Sequence, residues 1–121
     1  MSAAFEYVDL SLVPLVPMQA HEGVGQIGFR RLATAEQLGG AVHFLDLAVL
    51  APGTSIGSHT HAPHEEEFYL VLQGSGMMVR NGEPLRVHAG MLVRNPPGGE
   101  HELRNDGVDE LRVFVFEVEA T

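Results

Sequence analysis

The sequence predicts an all-β domain, and three observations carry that prediction. Short apolar and β-branched runs recur along most of the chain. Gly, Pro, Asn and Asp punctuate them at short intervals, and helical periodicity is weak throughout. Many short strands between regular turn signals describe a sandwich or barrel. After an N-terminal arm over 1–25, strands are expected over 26–32, 43–50, 55–61, 67–73, 76–81, 84–88, 91–95, 101–104 and 110–119. Asn81-Gly82 sits between two of these runs and marks a tight hairpin, because both central residues of such a turn must accept positive φ. Asn105-Asp106-Gly107 marks another turn. The best helical candidate is one short turn near Ala33–Leu38, with Thr34 as N-cap and Gly39-Gly40 as its stop. Phe68–Leu72 and Val113–Phe116 are apolar at successive positions, so both faces of these strands need cover. That requirement predicts a homodimer or larger assembly.

The chain has 121 residues, the size of one domain, and 45% of them are apolar, enough for a core of its own. Cysteine is absent, which excludes disulfides and thiolate metal sites, so any metal must be held by His, Asp or Glu. The formal charge of −9 repels phosphate backbones, and no nucleic-acid partner is expected. All seven basic residues are Arg; without Lys there is no Schiff-base chemistry. The segment Met1–Leu10 carries Glu6 and Asp9 without a basic start, unlike a signal peptide. No apolar run approaches the roughly 20 residues of a membrane helix. A soluble, cytoplasmic protein without a membrane partner is the expectation.

The chemistry concentrates in the middle of the chain. His59 and His61 are two apart, and on a strand residues i and i+2 share a face, so both imidazoles can reach one ion. Ala62-Pro63 then signals a turn, and Glu65-Glu66-Glu67 leads into the run Phe68–Leu72. Glu67 is in phase with Tyr69 and Val71, and the turn folds it back beside the His pair. His101 follows Pro96-Pro97-Gly98-Gly99 and opens a later strand. Three neutral imidazoles and one carboxylate suit a divalent ion such as Zn, Fe, Mn, Ni, Co or Cu. Four protein ligands leave open positions for water or a substrate oxygen on an octahedral ion. Taken singly, a His-x-His pair, an acidic triplet or a Pro/Gly loop is usually an ordinary surface feature; their joint occurrence in order carries the signal.

In that order the chain resembles the cupin family. Gly53, five residues, His59-Thr60-His61, then Glu67, six residues and Gly74 are similar to the first cupin motif (53–74). Gly90, five residues, Pro96-Pro97-Gly98, two residues, His101, three residues and Asn105 match the second (90–105). The resemblance implies a single cupin domain over 1–121, a jelly-roll β-barrel, and a metal held by His59, His61, Glu67 and His101. One departure stands out: five residues separate His61 from Glu67, where the family has three or four. Glu66 or Glu65 would fit that gap but not the spacing to Gly74. Glu67 is preferred because the strand to Gly74 is rigid whereas a turn absorbs an extra residue; Glu66 and His64 stay open as alternatives.

Tyr69 is a candidate pocket residue, and no other catalytic residue is assigned. Arg30, Arg31, Arg80, Arg94 and Arg104 are candidates to pair with an acidic substrate, although each taken singly reads as a surface charge. His21, His43 and His88 read as surface or structural histidines. The family resemblance implies dimers and a small-molecule ligand or substrate. Two functions follow from it: a metal-dependent enzyme of dioxygenase, decarboxylase, isomerase or lyase type acting on a small organic acid or related metabolite, or a non-catalytic binding or sensing module.

Overall fold

A computed structural model describes residues 5–120. Ten strands form two antiparallel sheets. The larger is ordered β1 (Val16–Met18), β2 (Ile27–Thr34), β3 (Val42–Leu50), β10 (Leu111–Glu119), β5 (Glu65–Gln73) and β8 (Leu92–Asn95). The smaller is ordered β4 (Ser55–Thr60), β9 (Glu100–Arg104), β6 (Ser75–Arg80) and β7 (Glu83–His88). No strand pairing joins them among the described residues. They are held as a jelly roll by one apolar core. Ile27, Leu50, Val71 and Val113 from the larger sheet pack with Ile56, Met78, Val87 and Leu103 from the smaller. Alternate residues of β10 are buried, as the pleat requires of a strand with one face on a core.

The nine expected strands are all present, with ends that move by a residue or two. Two differences are larger. The arm over 1–25 contains a strand, β1, that the sequence pattern did not mark, because Pro17 interrupts a three-residue run. It survives as an edge strand, where a missing N–H costs no ladder bond. The expected turn at 33–38 shrinks to one 3₁₀ turn, Ala35–Gln37, because β2 continues through Thr34 to pair with Phe44. The Thr34 N–H is still satisfied locally, by the Gln37 side-chain oxygen at 3.0 Å.

Several turns have the backbone their residues predict. Asn81 and Gly82 have φ of 49° and 83° and close the β6–β7 hairpin. Gly74, at φ 83°, joins β5 to β6; a Cβ there would stand 2.3 Å from the Glu110 carbonyl oxygen. This strand end therefore needs glycine for two independent reasons. Asn105 is buried and donates to the carbonyls of Leu50 and Asp109, both at 2.8 Å, while accepting from the Gly107 N–H. No helix among the described residues is long and apolar enough to cross a membrane.

Candidate metal centre

Three strands from both sheets deliver the histidine and glutamate donors. On β4 and β9, His59 and His101 are direct cross-strand partners. The β4 register shifts between Ile56 and His59, which re-aims the end of the strand toward the barrel interior. Just past the end of β4, His61 is fixed through its own N–H, which donates to the Gly99 carbonyl at 3.1 Å. Glu67 lies on β5 and is buried.

One donor atom from each of His59, His61, Glu67 and His101 lies within 4.8 Å of the others. The Glu67 Oε1 is the hub. It is 2.8 Å from His101 Nε2, 3.2 Å from His61 Nε2 and 4.0 Å from His59 Nε2. Glu66 points the other way and pairs with Arg94 on the outer surface. Glu65 turns back, its Oε1 accepting from the Ala62 N–H at 2.8 Å. The turn at Ala62–His64 thus absorbs the extra residue of the His61–Glu67 interval. His64 is exposed and lies outside the group.

The outer nitrogens of two imidazoles are already tied down. His59 Nδ1–H donates to the Gly57 carbonyl at 2.8 Å, and His61 Nδ1–H lies 3.0 Å from Glu117 Oε1. Each bond fixes the tautomer that leaves Nε2 facing the centre. His61 Nε2 is buried and makes no hydrogen bond, despite its nearness to Glu67. A divalent ion would satisfy that orphaned nitrogen together with the other donors, and the four residues fit such an ion.

The electrostatics of the group agree with its crowding. The Glu117 and Glu67 carboxylates raise the His61 imidazole to about 10. Burial works against ionisation of Glu67, but the three imidazoles around it outweigh burial and hold its carboxyl well below the usual range. His101, the most buried of the imidazoles, is instead pushed down by desolvation. Burial and the Glu67 charge raise the Tyr69 phenol far above its ordinary value.

Three of the four, His59, His61 and Glu67, line a cavity of about 440 Å³, with His101 buried behind them. Tyr69 is on its wall, edge-on to His101 with ring centroids 5.5 Å apart. His21 stacks on His59 at 3.7 Å, presented by a loop in which His21 and Glu22 both have positive φ. That loop lies against β4 because Gly23 and Gly57 bring the two backbones together; a Cβ on either would overlap main-chain atoms. Of the arginines, only Arg31 lines the cavity. Arg80 donates to Asn95 and to the Arg94 carbonyl, Arg94 pairs with Glu66, and Arg104 pairs with Glu102.

Sequence reasoning passed over Glu117 and Asp46. Both are acids flanked on each side by apolar residues, in phase with buried neighbours such as Val115 and Ala48. A buried acid at a core position requires a partner, and here the partners are His61 with His43, and Arg31. His43 is held between Glu117, at 2.7 Å, and Glu119, at 2.9 Å.

Comparison with known proteins is consistent with this architecture. Residues 46–117 match the family model described as a cupin domain. The chain is 29% identical over 89 residues to an oxalate-binding protein of Thermotoga maritima, covering 74% of this chain and 73% of that protein. It is 32% identical over 77 residues to the dimethylsulfoniopropionate lyase DddW of Ruegeria pomeroyi. That match covers 64% of this chain and about half of the lyase, 49%. Among solved structures, a predicted oxalate decarboxylase from Thermotoga maritima superposes with a TM-score of 0.87 at 24% identity, over 93% of this chain and 98% of that one.

Proposed function

The chain belongs to the cupin family, and from that premise we propose that it is a metal-dependent enzyme acting on a small organic acid. The observation that carries this reading is the convergence of His59, His61, Glu67 and His101 on one point beside a cavity that the first three line. These four residues would hold the divalent ion, Zn, Fe, Mn, Ni, Co or Cu. When bound, the ion supplies a Lewis acid that polarises a substrate oxygen. The names of two relatives, an oxalate-binding protein and a dimethylsulfoniopropionate lyase, support a small carboxylate as the ligand class.

Within this reading Tyr69 is the residue that moves a proton. It is buried on the cavity wall beside Glu67 and His101. Burial and the Glu67 charge keep its phenol protonated; a cation compensating Glu67 would ease that shift. Such a group favours lyase or isomerase chemistry over a purely oxidative reaction. The reading includes a cytoplasmic homodimer; the stacked rings of Phe68 and Phe116 on the outer face of the larger sheet support the dimer.

The test is to load the protein with each candidate metal and incubate it with oxalate, malonate and dimethylsulfoniopropionate, following products by NMR. Turnover in the wild type and its loss in Tyr69→Phe is the expected result. Tight binding with no turnover for any acid would instead favour the non-catalytic binding module.

A further inference from the structure

Arg31 is the one permanently charged cation on the cavity wall. It lies on β2, opposite its cross-strand partner Asp46 on β3, whereas the metal-binding candidates come from β4, β5, β9 and the turn after β4. The guanidinium is held on two sides. Its Nε and Nη2 donate to the two Asp46 oxygens at 2.9 and 2.8 Å, and its carbon sits 4.6 Å from the centre of the Phe44 ring. Asp46 is buried, so the fork cannot swing away without stranding a buried carboxylate.

A guanidinium has five N–H donors. Two go to Asp46, and the other three have no hydrogen-bond partner among the described residues. The side chain is 48% exposed and borders both this cavity and a second one beside the N-terminal arm, so its unpaired donors are accessible. A planar, oriented pair of N–H groups is the geometry that receives a carboxylate bidentately. The cavity therefore offers two places for an acid: the candidate metal centre, three of whose residues line it, and the unpaired donors of Arg31, which comes from a different strand, β2.

We propose that Arg31, aimed by Asp46, anchors the second carboxylate of a two-ended substrate whose first oxygen donors face the metal centre, so that the cavity selects small dicarboxylates over monocarboxylates. This rests on the acid-binding reading above and adds the residue that sets specificity. Asp46 is a positioning residue: it touches the guanidinium, not the ligand.

The test is calorimetric titration of Zn²⁺-loaded protein with acetate, propionate, malonate, succinate and glutarate, the last three serving as a ruler for the span. Wild-type protein should bind one of the dicarboxylates at least about tenfold more tightly than the monocarboxylates, the increment expected of a charge-assisted bidentate pair. Arg31→Gln should reduce that ratio to within about threefold. Arg31→Lys, which keeps a counter-charge for Asp46 but lacks the fork, should fall between them. Folding and zinc content are checked by circular dichroism and metal analysis. Wild-type protein that binds mono- and dicarboxylates equally would overturn the anchor while leaving the acid-binding reading intact, and that comparison needs no variant. An unchanged ratio in folded Arg31→Gln or Arg31→Lys would do the same. If zinc-loaded wild type binds none of the five acids, the acid-binding reading falls and the anchor falls with it.

Discussion

Glu67 and Glu117 face each other directly across β5 and β10, and the imidazole of His61 stands between them, 3.2 Å from the one carboxylate and 3.0 Å from the other. Two like charges at opposed sheet positions repel. The arrangement persists because His61 serves both: Nδ1–H is committed to Glu117, so Nε2 is presented toward Glu67 and the centre. Glu117 receives His43 from the far side as well. Burial alone would raise the Glu117 carboxyl, but hydrogen bonds from His61 and His43 hold it below its ordinary value. Glu117 is thus an anionic strut behind a candidate metal ligand.

Glu117→Gln tests that role. The amide is nearly isosteric and keeps an acceptor oxygen, but it loses the charge that aligns His61. Zinc affinity, read by competition with a chromophoric chelator, should drop by about 10–100-fold, as for other carboxylates that orient a ligating histidine. Wild-type affinity in this variant would mean that Glu117 does not orient the site.

The four candidate ligands are separable from their acidic neighbours. His59→Ala and His101→Ala should each remove most of the bound metal, measured by elemental analysis of untagged protein. Glu67→Gln should weaken binding less, because an amide oxygen still coordinates. Glu66→Gln should change little, since Glu66 faces outward onto Arg94. Loss of metal in Glu66→Gln with retention in Glu67→Gln would reverse the assignment.

Much of this site is legible in the sequence. The His-x-His pair, the strand phase of Glu67 and the turn before His101 each follow from a period of two and from Pro/Gly punctuation. What was not legible came from strand order. That Glu117 pairs with Glu67 depends on β10 inserting between β3 and β5, a long-range choice that local pattern does not encode, while Asp46 faces Arg31 only through the register that neighbouring β2 and β3 adopt. The His21 stack was hidden for another reason: it depends on two consecutive non-glycine residues at positive φ, which sequence propensity disfavours. β1 was missed because three residues around a proline carry too little periodicity to register.

The outer face of the larger sheet should be covered in solution. Phe68 stacks on Phe116 with centroids 4.9 Å apart, Phe114 lies 5.7 Å from Phe116, and Leu92 on neighbouring β8 is 58% exposed. Light scattering at micromolar concentration should report a dimer or larger assembly. Phe116→Glu should shift it toward monomer, and a wild-type monomer would count against the apolar face as an interface.

Metal binding should be coupled to proton release well above the usual histidine range. In the metal-free protein His61 is raised to about 10, so it is protonated at pH 8, and an ion must displace that proton. His101 is pushed down by burial and contributes none there. Between the ordinary histidine pKa of about 6.5 and about 10, affinity should therefore climb by about tenfold per pH unit, with about one proton released per ion. The sign for stability of the metal-free protein is the opposite. The His61 contribution is fully present below about 6.5 and disappears as pH rises through about 10. Calorimetry at pH 8 in buffers of different ionisation enthalpy reads the proton count. An imidazole with an ordinary pKa would release almost none at that pH, so buffer-independent heats would refute the coupling.

Asn105 should prove a determinant of stability and not of binding. It is buried at the junction of β9 with the turn into β10. Its amide nitrogen serves two carbonyls from distant parts of the chain, Leu50 at the end of β3 and Asp109 before β10, and its oxygen holds the Gly107 N–H at 3.0 Å. Asn105→Ala would leave these backbone groups without their partner in a place that admits little water. At about 1–3 kcal/mol for an unsatisfied buried group, with partial relaxation, the cost is on the order of 3 kcal/mol. For a domain near this size that corresponds to a fall in Tm of about 12 °C. Asn105→Asp should be no better, because a carboxylate would face the Leu50 and Asp109 carbonyl oxygens without a proton to offer either. Asn105 belongs to none of the donor groups at the centre, so zinc affinity of the folded Asn105→Ala protein should match wild type. Thermal unfolding of the metal-free variants, paired with zinc titration below their Tm, separates the two effects. A Tm within about 2 °C of wild type would show that the three hydrogen bonds contribute little net stability.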